Sequence, residues 1–263
     1  MTETWLEHPF WLGVLGSTVA GACTAIGAAA VFGIQQLSPK LEDIMLSAAA
    51  GIMLAASFFS LILPGLDMAT EVTGSSTMAS LVVIAGVLIG AIGLWMLHEH
   101  VPHEHFIGGH EGPDSHEIKR IWLFVIAITL HNLPEGMAVG VGFATGDVGN
   151  GMGLAIGIGL QNIPEGLAVS VSLLAIGYSR LSACGWGALT GLAEPLGGVI
   201  GAAAGGLATL ALPSVLGAAA GAMLYIISDE IIPETHRRGF ETPATFALMT
   251  GMVVMMFLDT TLG

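Results

Sequence analysis

Two stretches of this chain, HNLPEGMAVG beginning at His131 and QNIPEGLAVS beginning at Gln161, are near-copies thirty residues apart. Each sets an imidazole or amide, a second amide and a carboxylate in a run of Gly, Ala, Val, Ile and Leu. On a helix, His131 and Glu135 lie one turn apart and share a face. Asn132 sits about 100° round, on the same half of the helix. Gln161, Asn162 and Glu165 repeat the pattern. Pro134 and Pro164 each remove a backbone hydrogen bond and free the carbonyls of Leu130 and Leu160. Imidazole nitrogen beside carboxylate oxygen suits zinc, iron and related transition ions better than calcium or magnesium. A lone Asn or Gln reads as ordinary helix packing, but two glutamates with a histidine do not. A carboxylate at the centre of a bilayer costs at least about 2.5 kcal/mol and needs a partner. A divalent cation fits this donor set.

The same chemistry recurs elsewhere. GLAEPLGG puts Glu194 before another proline. It is either a third metal carboxylate or a residue paired to a neighbouring helix. ISDEIIPETHRR gathers Asp229, Glu230, Glu234 and His236 at one helix end. A departing ion can step through them, although Glu234 and His236 can equally just face water. Asp67, in LILPGLDMA, is either a cation-attracting group at the opposite mouth or a plain loop aspartate. Asp259 reads as structural. The stretch 98–119 holds His98, His100, His103, His105, His110 and His116. Such a tract binds metal weakly at many sites, unless it is only a solvated loop. Cys23 and Cys184 lie in apolar runs and read as packing residues.

These groups need elements that can hold them. Of the 263 residues, 54% are hydrophobic and only 10% charged, where a soluble domain carries about 25% charged. The apolar runs reach about 20 residues, enough to cross about 30 Å of hydrocarbon. They lack the alternation of a membrane barrel, and the 38 glycines suit close helix packing. The expectation is an all-α polytopic membrane protein, a single transmembrane domain over 1–263. Its eight spans run about 10–35, 42–64, 78–98, 120–145, 150–176, 181–205, 212–235 and 243–261. The opening MTETWLEHPF has no basic region and does not read as a cleaved signal peptide. A net charge of −14 argues against nucleic acid as a partner.

The six basic residues orient the bundle. Lys40, Lys119, Arg120, Arg180, Arg237 and Arg238 all fall in odd-numbered connections. Lys and Arg mark the cytoplasmic side, so both termini are expected outside and the histidine-rich loop inside. Seven spans would scatter these charges to both faces. His131 then lies about 16 Å into the fourth span, and Gln161 reaches a similar depth from the other face. Antiparallel motifs meeting at the midplane predict an inverted repeat with a substrate site at its interface.

The paired motifs, the glutamate of the sixth span, the eight spans and the histidine-rich loop resemble the ZIP (Zrt/Irt-like) divalent metal transporters. HNLPEGMAVGVGFATGD, QNIPEGLAVS and DEIIPETHRRG look like the bacterial GufA-like branch, and the similarity covers nearly the whole chain. The resemblance implies uptake of zinc, with cadmium, iron or manganese also possible, across the bacterial cytoplasmic (inner) membrane. It implies a two-metal centre. His131, Glu135, Gln161 and Glu165 would hold the first ion, with Met53 nearby. Asn132, Asn162 and Glu194 would join the shared glutamates around the second. A homodimer is also implied, as is a bundle of spans 1, 4, 5 and 6 moving against the other four. The family's prokaryotic structural representative has Asp where this chain has Asn162, and His where it has Asp229. A metal-selective channel shares this chemistry. An intramembrane metalloprotease would need a second histidine, typically as HExxH, and only His131 lies in a span core. A metal sensor that does not transport is supported by the loop alone.

Overall fold

The computed structural model describes residues 8–34, 36–100, 115–204 and 211–262. In lipid the backbone must satisfy its own hydrogen bonds, and the described residues form eight helical rods and no strand. These are α1 (Pro9–Ala29, ending in a 3-10 turn), α2 (Pro39–Thr73), α3 (Ser76–His100), α4 (Ser115–Ala144), α5 (Val148–Ala175), α6 in two halves, α7 (Ala211–Thr235) and α8 (Glu241–Leu262). The halves of the sixth rod are α6a (Arg180–Thr190) and α6b (Ala193–Ala203). Among the described residues, all but α4 and α6 are long and apolar enough to cross a membrane. The chain is an all-helical, multi-pass membrane protein.

Three elements differ from their expected form. The sixth rod breaks after Thr190, so Glu194 lies in the first turn of a new helix. The second runs to Thr73, which puts Asp67 on exposed helix rather than in a loop. The third runs to His100 and the fourth starts at Ser115, so the backbones of His98, His100 and His116 are helical.

Both α2 and α7 widen into a π turn just ahead of a proline, Ala56–Ile62 before Pro64 and Ile227–Ile231 before Pro233. Proline at position 64 brings no N–H for the carbonyl four residues back. That carbonyl, Ser60 O, accepts instead from Asn150 Nδ2 of α5 at 3.1 Å, while Ser60 Oγ donates to Asp259 Oδ1 of α8 at 2.7 Å.

Glycine decides which rods touch backbone to backbone. A Cβ on Gly136 of α4 would fall on the backbone of Glu194, and one on Gly197 of α6b on the carbonyl of Leu133. Gly27 meets Ile163 of α5 in the same way, and Gly166 meets Thr24 of α1. Gly51 and Gly251 lock α2 to α8, and Gly90 and Gly221 lock α3 to α7. These contacts fall inside two groups, α1, α4, α5 and α6, and α2, α3, α7 and α8. Where the groups meet, Gly157 of α5 faces a side chain, that of Met255.

Overpacking such a contact costs about 1–3 kcal/mol. Gly136→Ala is therefore expected to lower the melting midpoint of the detergent-solubilised protein by several degrees. Gly93→Ala, where nothing lies within 4 Å, should leave it unchanged or raise it slightly. Equal midpoints for the two variants would refute the role given to Gly136.

Candidate metal centre

The motif helices are joined by a turn at 145–147. Gly146 takes φ 86°, a left-handed conformation that favours glycine. Asp147 then caps α5, accepting from the N–H of Asn150 at 3.0 Å. This turn returns α5 antiparallel to α4 and brings the two motifs to one depth. Pro134 and Pro164 sit inside helices that run through them without interruption. The third carboxylate arrives from α6b, whose N-terminal end carries partial positive charge and suits Glu194 in its first turn.

The side chains join across helices. Gln161 Nε2 donates to Glu135 Oε1 at 2.5 Å, linking α5 to α4. Asn162 Nδ2 donates to Glu194 Oε1 at 2.7 Å and to the Ala20 carbonyl at 2.9 Å. Thr24 Oγ1 reaches the same Glu194 oxygen at 3.4 Å. Asn132 Nδ2 donates to the Thr190 carbonyl at 2.9 Å, at the break in the sixth rod. Asn132, Glu135, Gln161, Asn162, Glu165 and Glu194 are all buried, none more than 3% exposed.

What remains unpaired is oxygen. Asn132 Oδ1, Glu135 Oε2, Gln161 Oε1, Asn162 Oδ1, Glu165 Oε2 and Glu194 Oε2 are all buried without a hydrogen-bond partner. Buried polar atoms are normally satisfied. Here every amide whose nitrogen is engaged keeps its oxygen free, and each of the three carboxylates keeps one oxygen free. Three carboxylates and three amides thus present acceptors with no donor among the described residues to meet them, a set that a cation can use. Among the described residues no three His, Cys, Asp or Glu side chains gather tightly enough to form a ready metal site. The short links run from carboxylate to amide instead.

The other candidates are spread over the bundle. The side chains of His131, His98, His100 and His116, and all of His103, His105 and His110, lie outside the described residues. Met53 is fully buried on α2 in the main apolar cluster. Asp229 is exposed and Glu230 half-buried on the π turn of α7. Glu234 binds Arg237 and Arg238. His236 bonds the Ile232 carbonyl at 3.0 Å and Thr245 Oγ1 at 3.1 Å. Sequence reasoning missed Thr24, since a threonine in an apolar helix usually bonds its own backbone, and it missed the backbone carbonyl of Thr190, which is available at the break in the sixth rod. It also missed Asp43, which is buried near the start of α2.

Residues 96–259 match the family model described as ZIP Zinc transporter, more than half of the chain. The chain belongs to the ZIP zinc transporter family. ZIP proteins are transporters and not enzymes, which removes the metalloprotease alternative. Zinc transporter ZIPB of Bordetella bronchiseptica is 49% identical over 250 residues, covering 95% of this chain and 81% of that protein. Zinc transporter GufA of Myxococcus xanthus is 43% identical over 251 residues, covering 95% and 99%. The human zinc transporter ZIP11 is 34% identical, with 95% of this chain and 97% of its own length covered.

Proposed function

We propose that this ZIP protein carries zinc across the bacterial cytoplasmic membrane into the cytoplasm, through the centre formed by α4, α5 and α6b. The observation that carries the reading is the set of six buried, unpaired oxygens contributed by Asn132, Glu135, Gln161, Asn162, Glu165 and Glu194. His131 completes the first-ion set with Glu135, Gln161 and Glu165, and Met53 lies nearby on α2. Asn132, Asn162 and Glu194 share the two central glutamates with a second ion. Asp67 draws cations at the outer mouth. Asp229 and Glu230, and then Glu234 and His236, receive the ion on the inner side. Cadmium, iron and manganese are alternative cargoes of the same donors.

An inverted repeat is supported by the packing partners. The pair α1 with α5 mirrors α6 with α4, and α2 with α8 mirrors α7 with α3. The π turns before Pro64 and Pro233 occupy matching places in α2 and α7. Close glycine contacts tie α1, α4, α5 and α6 to one another, which favours these four moving together against the rest. The protein works as a homodimer with both termini outside.

Uptake into liposomes containing the purified protein tests this, with zinc, cadmium, iron and manganese in turn, with and without a pH gradient. Saturating zinc uptake is expected. Its absence would overturn the reading, and flux that never saturates would mark a channel. The loop is a second prediction. Replacing residues 103–116 by a short Gly/Ser linker is expected to leave uptake intact but change its dependence on cytoplasmic zinc. Complete loss of vesicle uptake would place the loop in the pathway itself.

A further inference from the structure

At the opposite end of the bundle from the Ser60–Asp259 pair, one guanidinium holds three carboxylates from two rods. Arg238 Nη1 donates to Glu42 Oε2 at 2.6 Å and lies 3.5 Å from Asp43 Oδ1. Its Nη2 donates to Glu234 Oε1 at 2.8 Å, and Arg237 donates to that same oxygen at 2.5 Å. Pinning the connection between α7 and α8 onto α2 needs only Glu42 and Glu234. Asp43 is the unexplained member. Its side chain is 0% exposed, it points at the guanidinium, and neither of its oxygens accepts a hydrogen bond. Ser47, one turn further in on the same face, also has a buried and unpaired Oγ. The ion pair at 3.5 Å leaves both Asp43 oxygens without a hydrogen bond, and a buried carboxylate in that state is costly unless a cation sits closer to it.

We propose that Glu42, Asp43 and Glu234 form a cation site, separate from the central one, in which Arg238 is a resident and displaceable counter-ion. Three carboxylates face two guanidiniums, so the cluster keeps a net negative charge. Arg238 is 25% exposed and can swing to water when an ion takes its place. Gly239 follows it with φ 84°, at a turn. The three side chains gathered on Arg238 are all carboxylates, with no imidazole among them. Oxygen donors alone suit harder divalent cations such as manganese better than they suit zinc. The competing arginine keeps the site weak, so it fills only when the ion is abundant. On the orientation proposed above this face is cytoplasmic, and the site responds to accumulated cation there.

Equilibrium dialysis of the purified protein against manganese, and separately zinc, tests this with residues 103–116 replaced by the Gly/Ser linker. Arg238→Gln is expected to bind one more manganese per chain, about tenfold or more tightly than wild type, because a unit charge about 4 Å away is gone. Adding Asp43→Asn should remove that ion. Arg238→Lys keeps the charge but cannot grip two carboxylates at once. It should show the same gain at smaller size, and it serves if the Gln variant does not stay monodisperse. No additional ion in either arginine variant, or a gain that survives Asp43→Asn, would overturn the proposal. The assay reads binding alone, so a failure of vesicle transport would leave its result standing.

Discussion

Glu165→Ala is expected to lower zinc uptake by about a hundredfold or more while the protein still folds. Loss of a group that merely supports a metal ligand already costs about 10–100-fold, and Glu165 is placed as a ligand itself. Glu165 is 3% exposed, and its Oε2 has no hydrogen-bond partner. Removing a buried, unpaired acceptor relieves the fold of a desolvation cost. The variant should therefore be monodisperse and melt no lower than wild type without metal. Glu165→Gln keeps the shape and one oxygen but leaves Glu135 alone to neutralise a divalent ion, so its uptake should fall almost as far. His131→Ala should lose uptake similarly, because it removes the one imidazole of the set. The check is zinc uptake into liposomes holding equal amounts of each purified protein. Wild-type rates from any of these variants would remove the central-site assignment.

Much of this site was legible in the sequence because buried charge is so rarely tolerated in lipid. Glu135 and Glu165 stand out in apolar runs, and a spacing of thirty residues at 1.5 Å rise returns the second motif to the depth of the first. What could not be read was the pairing. Nothing in the letters says that Gln161 donates to Glu135 or that Asn162 donates to Glu194, because those links depend on how closely α4, α5 and α6b approach. The approach of α4 to α6b is set by Gly136, Gly197 and Gly140, three among 38 glycines, and sequence alone does not show which glycine faces which backbone. The break after Thr190 was hidden for a related reason. GLAEPLGG keeps its hydrophobic character through the break, so periodicity carries no mark of it. Asp43 was passed over because it sits beside Lys40 and Glu42, where charged residues read as a solvated helix end. Only the fold buries it under Arg238.

Asn162→Asp is expected to convert a weak second metal site into a strong one and to slow transport. The reason is charge. On the proposed two-ion centre, a first divalent ion among His131, Glu135, Gln161 and Glu165 would meet two carboxylates and be neutralised. A second adds +2, and only Glu194 remains to answer it. In the structure an amide takes the place of that second ion, since Asn162 Nδ2 bridges Glu194 Oε1 and the Ala20 carbonyl. The amide thus satisfies the third carboxylate without a second ion, and its own Oδ1 stays unpaired. Aspartate at 162 cannot donate either bond. It places a carboxylate where a donor had held Glu194 at 2.7 Å, and like charges at that range repel. Without metal the variant should melt lower than wild type. With zinc it should recover, since an ion that binds only the folded state stabilises it by mass action. The second ion should bind about tenfold or more tightly than in wild type, a difference of about 1.4 kcal/mol or more. A better-compensated ion leaves more slowly, so flux at saturating zinc should fall. Equilibrium dialysis of both proteins with residues 103–116 trimmed gives the stoichiometry, and melting with and without zinc gives the linkage. Two central ions bound equally tightly by the wild type would sink this account, and so would an Asn162→Asp protein whose melting point is indifferent to zinc.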